Sequence, residues 1–438
     1  MPTQAETPIA RFLKVVAKVE PRETGIVLAA FFLYFFVLCS YFALRPVRET
    51  FGILIGREEV ADLWLWTAVF SIALIPLWGW LVGRVNRSIL LPCVYGTVAI
   101  IALAIALYIG AAEPTVAVAK FYYVWVSVFN LMLTSIFWSF LLEMLTTEQT
   151  KRLFGFVAAG GTLGALVGPI VTRFSVEHIG NSGVMMVAAA GFVCAIFCQR
   201  ILLTLWKRGE VAPATSTEVK SDKAIGGNPF AGIAIVLKSP YLLGIASFIV
   251  LLSAANTFLY FEQLRLVAET FTDREEQTQV FANIDIVVQS LTIFTQFFLT
   301  GRIAKAFGVK ALLTALPIVI MFAFIGLAMF NVFAVLVVAM VARRWGEYAL
   351  IRPGREMLFS PLDKATKYKA KNFIDVPVYR AADYVGGQAK TALDAVVSTP
   401  AITALVAAGL AGLWAVNGYL LGRKHDAGGT AEAVRRGG

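Results

Sequence analysis

Charged side chains interrupt the long apolar stretches of this sequence at a few positions. Arg45, Arg48 and Glu49 close the first apolar stretch, and the two arginines are three residues apart, about one turn of an α-helix. Arginine presents a planar fork of donors that binds phosphate or carboxylate oxygens bidentately. Ionisable residues within a membrane span mark solute pathways by default. These arginines are therefore predicted to contact an anion, with a charged helix end snorkelling into the headgroups as the alternative.

A denser charged stretch runs from Arg343 to Glu356. Its Arg344–Glu347 and Arg352–Glu356 spacings put each pair on one face of an α-helix, which favours gating ion pairs. The stretch contains four arginines and two acids, so surplus positive charge is predicted to face a cavity. Arg344 and Glu347 are candidates for substrate contact, and Arg352 and Glu356 are candidates for gating.

The next stretch begins with closely spaced lysines and continues with charges inside an apolar run. Its candidates are Lys367, Lys369, Lys371, Asp375, Arg380 and Asp383. A lysine cluster at a helix end is usually an anchor at the inner membrane surface. Asp375 and Arg380 lie about one and a half turns apart inside the run, so anchoring does not account for them. Lys369, Asp375 and Arg380 are predicted to bind substrate, and the other three residues are predicted to gate.

Polar residues in other apolar runs supply further candidates. Asn130, Asn283 and Asp285 are predicted to contact substrate, while Glu49 and Glu143 are candidates for gating or coupling. Side chains of this kind either hydrogen-bond neighbouring helices or line a cavity, and the sequence leaves both interpretations open.

Glycines recur every four residues at Gly160, Gly164 and Gly168. This spacing places small residues along one face of a helix. It predicts close packing of that face against a second helix.

Several kinds of chemistry are excluded because their motifs are missing. The sequence has no GxxxxGK[ST] phosphate loop, no HExxH and no catalytic-triad signature. Its two histidines and four cysteines form no metal-ligand pattern, and the cysteines lie in apolar runs, where they serve as small hydrophobes. The chain is therefore not expected to be an enzyme or to carry a cofactor or a metal ion.

The elements that position these residues follow from composition. Hydrophobic residues make up 58% of the 438 residues and charged residues 15%, against about 45–50% and 25% in soluble domains. The hydrophobic total corresponds to about twelve membrane-spanning helices of roughly 20 residues each. Soluble enzymes, secreted disulfide scaffolds and disordered chains are excluded. The predicted fold class is an all-α membrane protein.

Apolar runs between polar breaks predict twelve transmembrane helices. These spans cover residues 24–44, 59–83, 88–110, 116–146, 153–175, 181–206, 240–262, 278–302, 309–330, 332–356, 371–395 and 400–421. The predicted organisation has a cytoplasmic N-terminal segment at 1–23, a six-helix half at 24–206, a cytoplasmic connector at 207–239, a second six-helix half at 240–422 and a disordered cytoplasmic tail at 423–438.

The basic residues that give the net charge of +10 are not concentrated in one domain, so the charge does not indicate nucleic-acid binding. Most basic residues fall in loops on one side of the predicted spans, which is the positive-inside pattern with both termini in the cytoplasm. The first apolar run is too long for a signal peptide and has no small-residue cleavage site, so it is predicted to be retained. A monomer in contact with membrane lipids is expected.

Two motifs recur in the same order near half the chain length. LRPVRETF at 44–51 returns as LRLVAETF at 264–271, with six of eight residues identical, and EML at 143–145 returns at 356–358. The repetition predicts two pseudo-symmetric six-helix halves. This organisation resembles the major facilitator fold, which implies a substrate site near the membrane midplane between the halves.

Three stretches resemble the ATP/ADP-type nucleotide transporters of plastids and obligate intracellular bacteria. They are LRPVRET at 44–50, the run FWSFLLEMLTTEQTKRLFGF at 137–156 with the glycines after it, and the run at 355–388. In the third run the matching residues are Pro361, Leu362, Asp363, Lys367, Lys369, Lys371, Ile374, Asp375 and Arg380. Arg48 stands where the family has a substrate-contacting lysine. Pro46 and Val126 stand where the family has acidic residues.

The resemblance implies a secondary transporter that moves a nucleotide or a similar phosphorylated anion by exchange in a bacterial inner membrane. Arg48, Arg344, Arg380 and Lys369 would neutralise phosphate charge, while Glu347 and Asp375 would hold basic groups when the site is empty. The alternative is a facilitator-type transporter of a lipid, a cell-wall precursor or another amphiphilic anion, for which the 33 phenylalanines leave room.

Overall fold

The computed structural model describes residues 19–20, 23–207, 231–397 and 399–427. Every regular element in these ranges is helical, as the sequence predicts. The α-helices are α1 (Thr24–Ile55), α2 (Arg57–Arg84), α3 (Arg87–Ala111), α4 (Val116–Met144), α5 (Thr147–Lys207), α6 (Ala231–Lys238), α7 (Pro240–Thr270), α8 (Arg274–Phe298), α9 (Thr300–Phe330), α10 (Phe333–Gly346), α11 (Arg352–Leu358), α12 (Lys364–Phe373), α13 (Tyr379–Val396) and α14 (Pro400–Asp426). Residues 1–18 and 21–22 of the predicted N-terminal segment, residues 208–230 of the predicted connector at 207–239, residue 398, and residues 428–438 of the predicted tail at 423–438 lie outside the described residues. The described end of the connector forms α6, and α14 extends into the predicted tail as far as Asp426.

Helix starts follow from ordinary capping chemistry. Thr115, Ser239 and Asp363 each accept a hydrogen bond from the backbone N–H three residues on, at the starts of α4, α7 and α12. Such caps satisfy N–H groups that have no partner within the first helical turn. Pro240 and Pro400 occupy the first turns of α7 and α14, where a missing N–H costs nothing.

The described residues include eight helices that are long and apolar enough to cross a membrane. One of them, Arg152–Lys207, has 56 residues, or about 84 Å of helix against about 30 Å of hydrocarbon. Its backbone leaves helical geometry at Gly180, with φ 63° and ψ 179°, a conformation that favours glycine. The helix therefore provides two crossings, in agreement with the spans predicted at 153–175 and 181–206. The predicted all-α membrane class is confirmed.

The predicted end of the first span at residue 44 is wrong. Helix α1 continues to Ile55, so Arg45 and Arg48 lie within it rather than at its end. The buried side chains of Val47, Phe51 and Ile55 continue the apolar face at intervals of four residues. Helical packing therefore extends past the charges that the predicted span boundary left outside the helix.

The predicted spans at 332–356 and 371–395 are interrupted, which the sequence did not predict. The first π-turn, Glu347–Ile351, separates α10 from α11, and the second π-turn, Ile374–Val378, separates α12 from α13. Proline lacks an N–H and clashes with the preceding turn of an α-helix. Pro353 follows the first π-turn closely and Pro377 lies inside the second, so both wide turns occur where α-helical hydrogen bonding is broken.

The chain forms two compact units. The first consists of the described residues of Met1–Phe51, Ala73–Lys223 and Arg274–Ile286. Its helices are tied by side chains that reach backbone carbonyls of neighbouring helices. The Tyr122 hydroxyl donates to Leu44 O at 3.0 Å.

The second unit consists of the described residues of Gly52–Ile72, Ala224–Asp273 and Val287–Gly438. It contains both π-turns and most of the predicted site residues. The Tyr241 hydroxyl on α7 donates to Leu358 O at the end of α11 at 2.8 Å, and this bond fixes α11 against α7.

The helix face formed by Gly160, Gly164 and Gly168 on α5 lies directly against α1. A Cβ atom built at Gly160 would stand 2.4 Å from Phe31 O, and one at Gly164 would stand 2.3 Å from Phe35 O. At Gly168 the nearest atom, Cys39 O, would be 2.4 Å away. The two backbones therefore touch along three helical turns, which confirms the predicted close packing.

Gly164→Val should destabilise the first unit by at least about 1–3 kcal/mol, because the new side chain meets backbone that has no room to move. Thermal unfolding of the purified full-length protein in detergent measures the effect. Gly155→Val is the matched control on the same helix, since a Cβ there has no atom within 4 Å. Equal unfolding temperatures for the two variants would contradict the backbone contact.

Candidate functional site

Glu347 is the centre of an ion-pair cluster in the second unit. Its Oε2 lies 3.5 Å from Arg343 Nη1, and its Oε1 lies 3.7 Å from Arg352 Nη2. The Asn256 side chain on α7 donates to Oε2 at 3.4 Å. The Glu347 side chain is 12% exposed. One buried carboxylate therefore holds two guanidinium groups and an amide from a second helix.

The first π-turn creates this arrangement. The Arg352 N–H donates to Glu347 O, five residues back, where an α-helix would use a carbonyl four residues back. Residues five apart are about 140° apart around an α-helix, and the wider turn of a π-helix brings them closer to the same face. The α-helical spacing predicted Arg344 as the partner of Glu347, and it did not predict Arg352.

Two further ion pairs connect α11 with the helix that follows. Arg355 Nη2 lies 3.6 Å from Asp375 Oδ1 on the second π-turn, and Lys371 Nζ lies 2.6 Å from Glu356 Oε2. The Arg355 and Asp375 side chains are 16% and 23% exposed. Glu356, Lys371 and Asp375, predicted from separate motifs, are therefore brought to adjacent turns of the same unit.

Arg380 and Asp383 form a third pair, one turn beyond the second π-turn. Arg380 Nη1 lies 4.0 Å from Asp383 Oδ2. The Ser253 hydroxyl on α7 donates to Asp383 Oδ1 at 2.5 Å. Ser253 and Asn256 lie one turn apart on α7, so one face of this helix contacts both Asp383 and Glu347.

The first unit has its own basic site around Arg48. The guanidinium forms an ion pair with Glu49, donates to Ser127 Oγ at 3.2 Å and lies 5.4 Å from the centre of the Tyr123 ring. Ser127 in turn donates to Tyr123 O at 2.7 Å. An anion that replaced Glu49 would find Arg48 already oriented by α4.

The remaining predicted residues are spread over both units. Arg344 and Asp285 are buried on α10 and α8. Arg45, Asn130, Lys367 and Lys369 are half-buried, while Asn283 and Glu143 are exposed. The Arg45 guanidinium lies 5.9 Å from the Phe42 ring of its own helix.

The sequence reading missed one buried ion cluster. Lys390, with 1% of its side chain exposed, lies 2.6 Å from Asp394 and 3.4 Å from Glu262, and its Nζ faces the Phe258 ring. Lys390 and Asp394 border a cavity of about 470 Å³ that is lined also by Arg57. The spacing of Lys390 and Asp394 at i and i+4 was the available signal, and Glu262 inside an apolar run was a second one.

Within the described parts of the chain, no group of three or more His, Cys, Asp or Glu residues could hold a metal ion. The side chains that gather around Glu347, Asp375 and Asp383 are charged pairs with neutral donors. They suit reversible exchange of charged partners.

The fold is shared with solved membrane transporters. It is similar to a bacterial homologue of the human lysosomal transporter Spinster, with a TM-score of 0.58, 13% identity, and coverage of 93% of this chain and 98% of that one. A POT family transporter in complex with 5-aminolevulinic acid has a TM-score of 0.62 at 12% identity, covering 91% and 96%. The nucleoside transporter NupG has a TM-score of 0.58 at 15% identity, covering 90% and 99%.

Residues 26–351 match the model of the Major Facilitator Superfamily, and the chain belongs to that family. It is therefore an all-helical, multi-pass membrane protein of the predicted major facilitator type, and that prediction is confirmed.

Two curated relatives are ADP,ATP carriers. The chain is 23% identical over 287 residues to "ADP,ATP carrier protein 1" of Chlamydia trachomatis serovar D, covering 57% of this chain and 54% of the carrier. It is 24% identical over 288 residues to the protein of the same name from Chlamydia muridarum, with the same coverage. The matched region spans about half the length of these relatives, 54% in each.

The Arg355–Asp375 pair should show coupled stability. Asp375→Asn leaves the largely buried Arg355 without its counter-charge, and Arg355→Gln does the reverse. The double variant should lose less stability than the sum of the single ones, with a coupling of roughly 0.5–3 kcal/mol in thermal unfolding.

The Arg274–Glu113 pair is the control for this cycle. Its side chains are 37% and 85% exposed, and exposed pairs contribute only about 0–1 kcal/mol. A coupling at Arg355–Asp375 no larger than the one at Arg274–Glu113 would show that the buried pair is not a structural unit.

Proposed function

We propose that this protein exchanges a nucleotide, or a similar phosphorylated anion, across a bacterial inner membrane by alternating access. The observation that carries the proposal is the charge imbalance of the site in the second unit. Nine basic and five acidic residues lie between Arg343 and Asp383. Four positive charges therefore have no acidic counterpart within this segment, and a phosphorylated anion would balance them.

The geometry supports phosphate recognition more than recognition of a single carboxylate. Guanidinium groups bind phosphate oxygens bidentately, and a terminal phosphate carries close to two negative charges at neutral pH. Arg343, Arg352, Arg355 and Arg380 all lie on α10, α11 or α13, next to the π-turns.

The acidic residues would hold this positive charge in the absence of substrate. Glu347, Asp375 and Asp383 each pair with an arginine at 3.5–4.0 Å, which is longer than an optimal charged hydrogen bond. Long pairs are readily exchanged for shorter ones. A phosphate would take over the arginines, and the acids would recover them when the anion leaves.

Exchange transport follows from this substitution of partners. Without substrate, the ion pairs would hold the empty carrier in one state, since breaking a buried pair leaves uncompensated charge. With substrate, the anion supplies the counter-charge and reorientation becomes possible. The ADP,ATP carrier names of the two Chlamydia relatives support the nucleotide version of this proposal.

Labelled ATP should enter proteoliposomes that contain the purified protein and internal ADP, and uptake should be much slower without internal ADP. Arg380→Gln should lower uptake at subsaturating ATP roughly tenfold or more, because a hydrogen bond to a charged group contributes about 1.5–3 kcal/mol. The initial rate of uptake measures both effects.

Arg200→Gln is the matched control, because Arg200 is an exposed arginine near the end of α5 and outside the proposed site. It should transport at the wild-type rate. Absence of binding and uptake across a panel of adenine, guanine and pyrimidine nucleotides would contradict the nucleotide proposal. Thermal stabilisation by lysophospholipids in the same panel would favour transport of an amphiphile instead.

A further inference from the structure

The first π-turn contains backbone carbonyls that receive no hydrogen bond from their own helix. The Arg352 N–H donates to Glu347 O, so it is not available to Tyr348 O, its α-helical partner. In the π-pattern the donor for Tyr348 O would be the N–H of residue 353, which is a proline and has none. Where the chain returns to the α-pattern in α11, the donor for Ala349 O would be the same missing proline N–H. Carbonyls without a donor cost free energy in a membrane-spanning helix, so Tyr348 O and Ala349 O each need a partner from elsewhere.

Two side chains outside this helix supply those donors. Gln296 Nε2, on α8, donates to Tyr348 O at 3.1 Å. The Thr300 hydroxyl, at the start of α9, donates to Ala349 O at 2.9 Å, with Thr295 O more distant at 3.2 Å. Thr300 is buried, with 8% of its surface exposed. The segment around the α8–α9 junction therefore provides a hydrogen bond to each carbonyl that Pro353 affects.

The backbone hydrogen-bond register of this turn determines which acidic residue Arg352 contacts. In the π-register Arg352 lies 3.7 Å from Glu347, and its guanidinium lies over the Tyr348 ring at 4.5 Å. In an uninterrupted α-helix Arg352 would lie about 140° away from Glu347 around the axis. Glu356, four residues on in α11, would then be the remaining acidic residue within one turn of Arg352.

We propose that Thr300 and Gln296 are positioning residues that hold the π-register of Glu347–Ile351 and thereby keep Arg352 on Glu347. Neither residue contacts the transported anion in this scheme. They act through the backbone carbonyls of Tyr348 and Ala349. The role in transport rests on the proposed function of the Glu347 cluster, whereas the effect on the ion pair does not.

A double-mutant cycle on Glu347 and Arg352, measured by thermal unfolding of the purified full-length protein without substrate, tests the proposal. In the wild-type background Glu347→Gln and Arg352→Gln should be non-additive by roughly 1–3 °C. In the Thr300→Val and Gln296→Leu backgrounds the non-additivity should be lost. Thr292→Val is the matched control on α8, because Thr292 is buried and its hydroxyl has no hydrogen-bond partner among the described residues.

Thr300→Ser restores the hydroxyl and should restore the coupling between Glu347 and Arg352, which a role in packing volume alone would not do. In the Thr300→Val background a new coupling should appear between Arg352 and Glu356. If Thr300→Val does not yield folded protein, the Gln296→Leu background carries the same cycle. Wild-type coupling in every background that folds would overturn the proposal.

Transport separates this inference from the proposed function. Thr300→Val should raise the KM for labelled ATP several-fold with a smaller change in maximal rate, while Thr292→Val should change neither. A lost Glu347–Arg352 coupling in a protein that transports no nucleotide would leave the positioning role standing and overturn only the substrate. A preserved coupling with normal nucleotide exchange would overturn only the positioning role.

Discussion

One carboxylate, that of Glu347, sets the position of two arginine side chains in the second unit. Two guanidinium groups and an amide converge on it inside a helix that crosses apolar surroundings. Arg343 is largely buried, with 11% of its side chain exposed, so leaving it without this counter-charge would be strongly destabilising. Arg352 is 57% exposed and joins the pair at 3.7 Å. Because the backbone places Glu347 through a π-turn, hydrogen-bond register and charge pairing are one constraint in this protein.

The fold was largely predictable because membrane spans are specified by apolar length. The predicted end of the first span was wrong because charged residues and buried apolar residues alternate on the same helix. The predicted first span stopped before Arg45, yet Val47 and Phe51 continue the buried face beside the charges and the helix extends to Ile55. The positions of the charged residues alone do not show that the opposite face of the helix remains packed.

The candidate site was predictable in its residue types but not in its pairs. Spacing rules assume about 3.6 residues per turn, and Pro353 and Pro377 accompany wider turns, so the partner of Glu347 at i+5 had no signal. Contacts between distant parts of the chain were equally hidden. Ser253 reaches Asp383 across 130 residues of sequence, and no local pattern on α7 indicates which acid it would meet.

The polar character of α13 has a consequence for synthesis. In 18 residues it carries Arg380, Asp383, Lys390 and Asp394, and it is not among the helices apolar enough to cross a membrane by themselves. Each charged residue at a helix centre raises the free energy of moving the helix from the translocon into the lipid by about 2.5–3.5 kcal/mol. Helix α7 is made more than a hundred residues earlier and holds the Ser253 and Glu262 that bond α13. Insertion of α13 into the membrane therefore depends on α7, which is already inserted when α13 leaves the translocon. A mutation in α7 that does not affect insertion of α7 itself would then appear as failed insertion of α13.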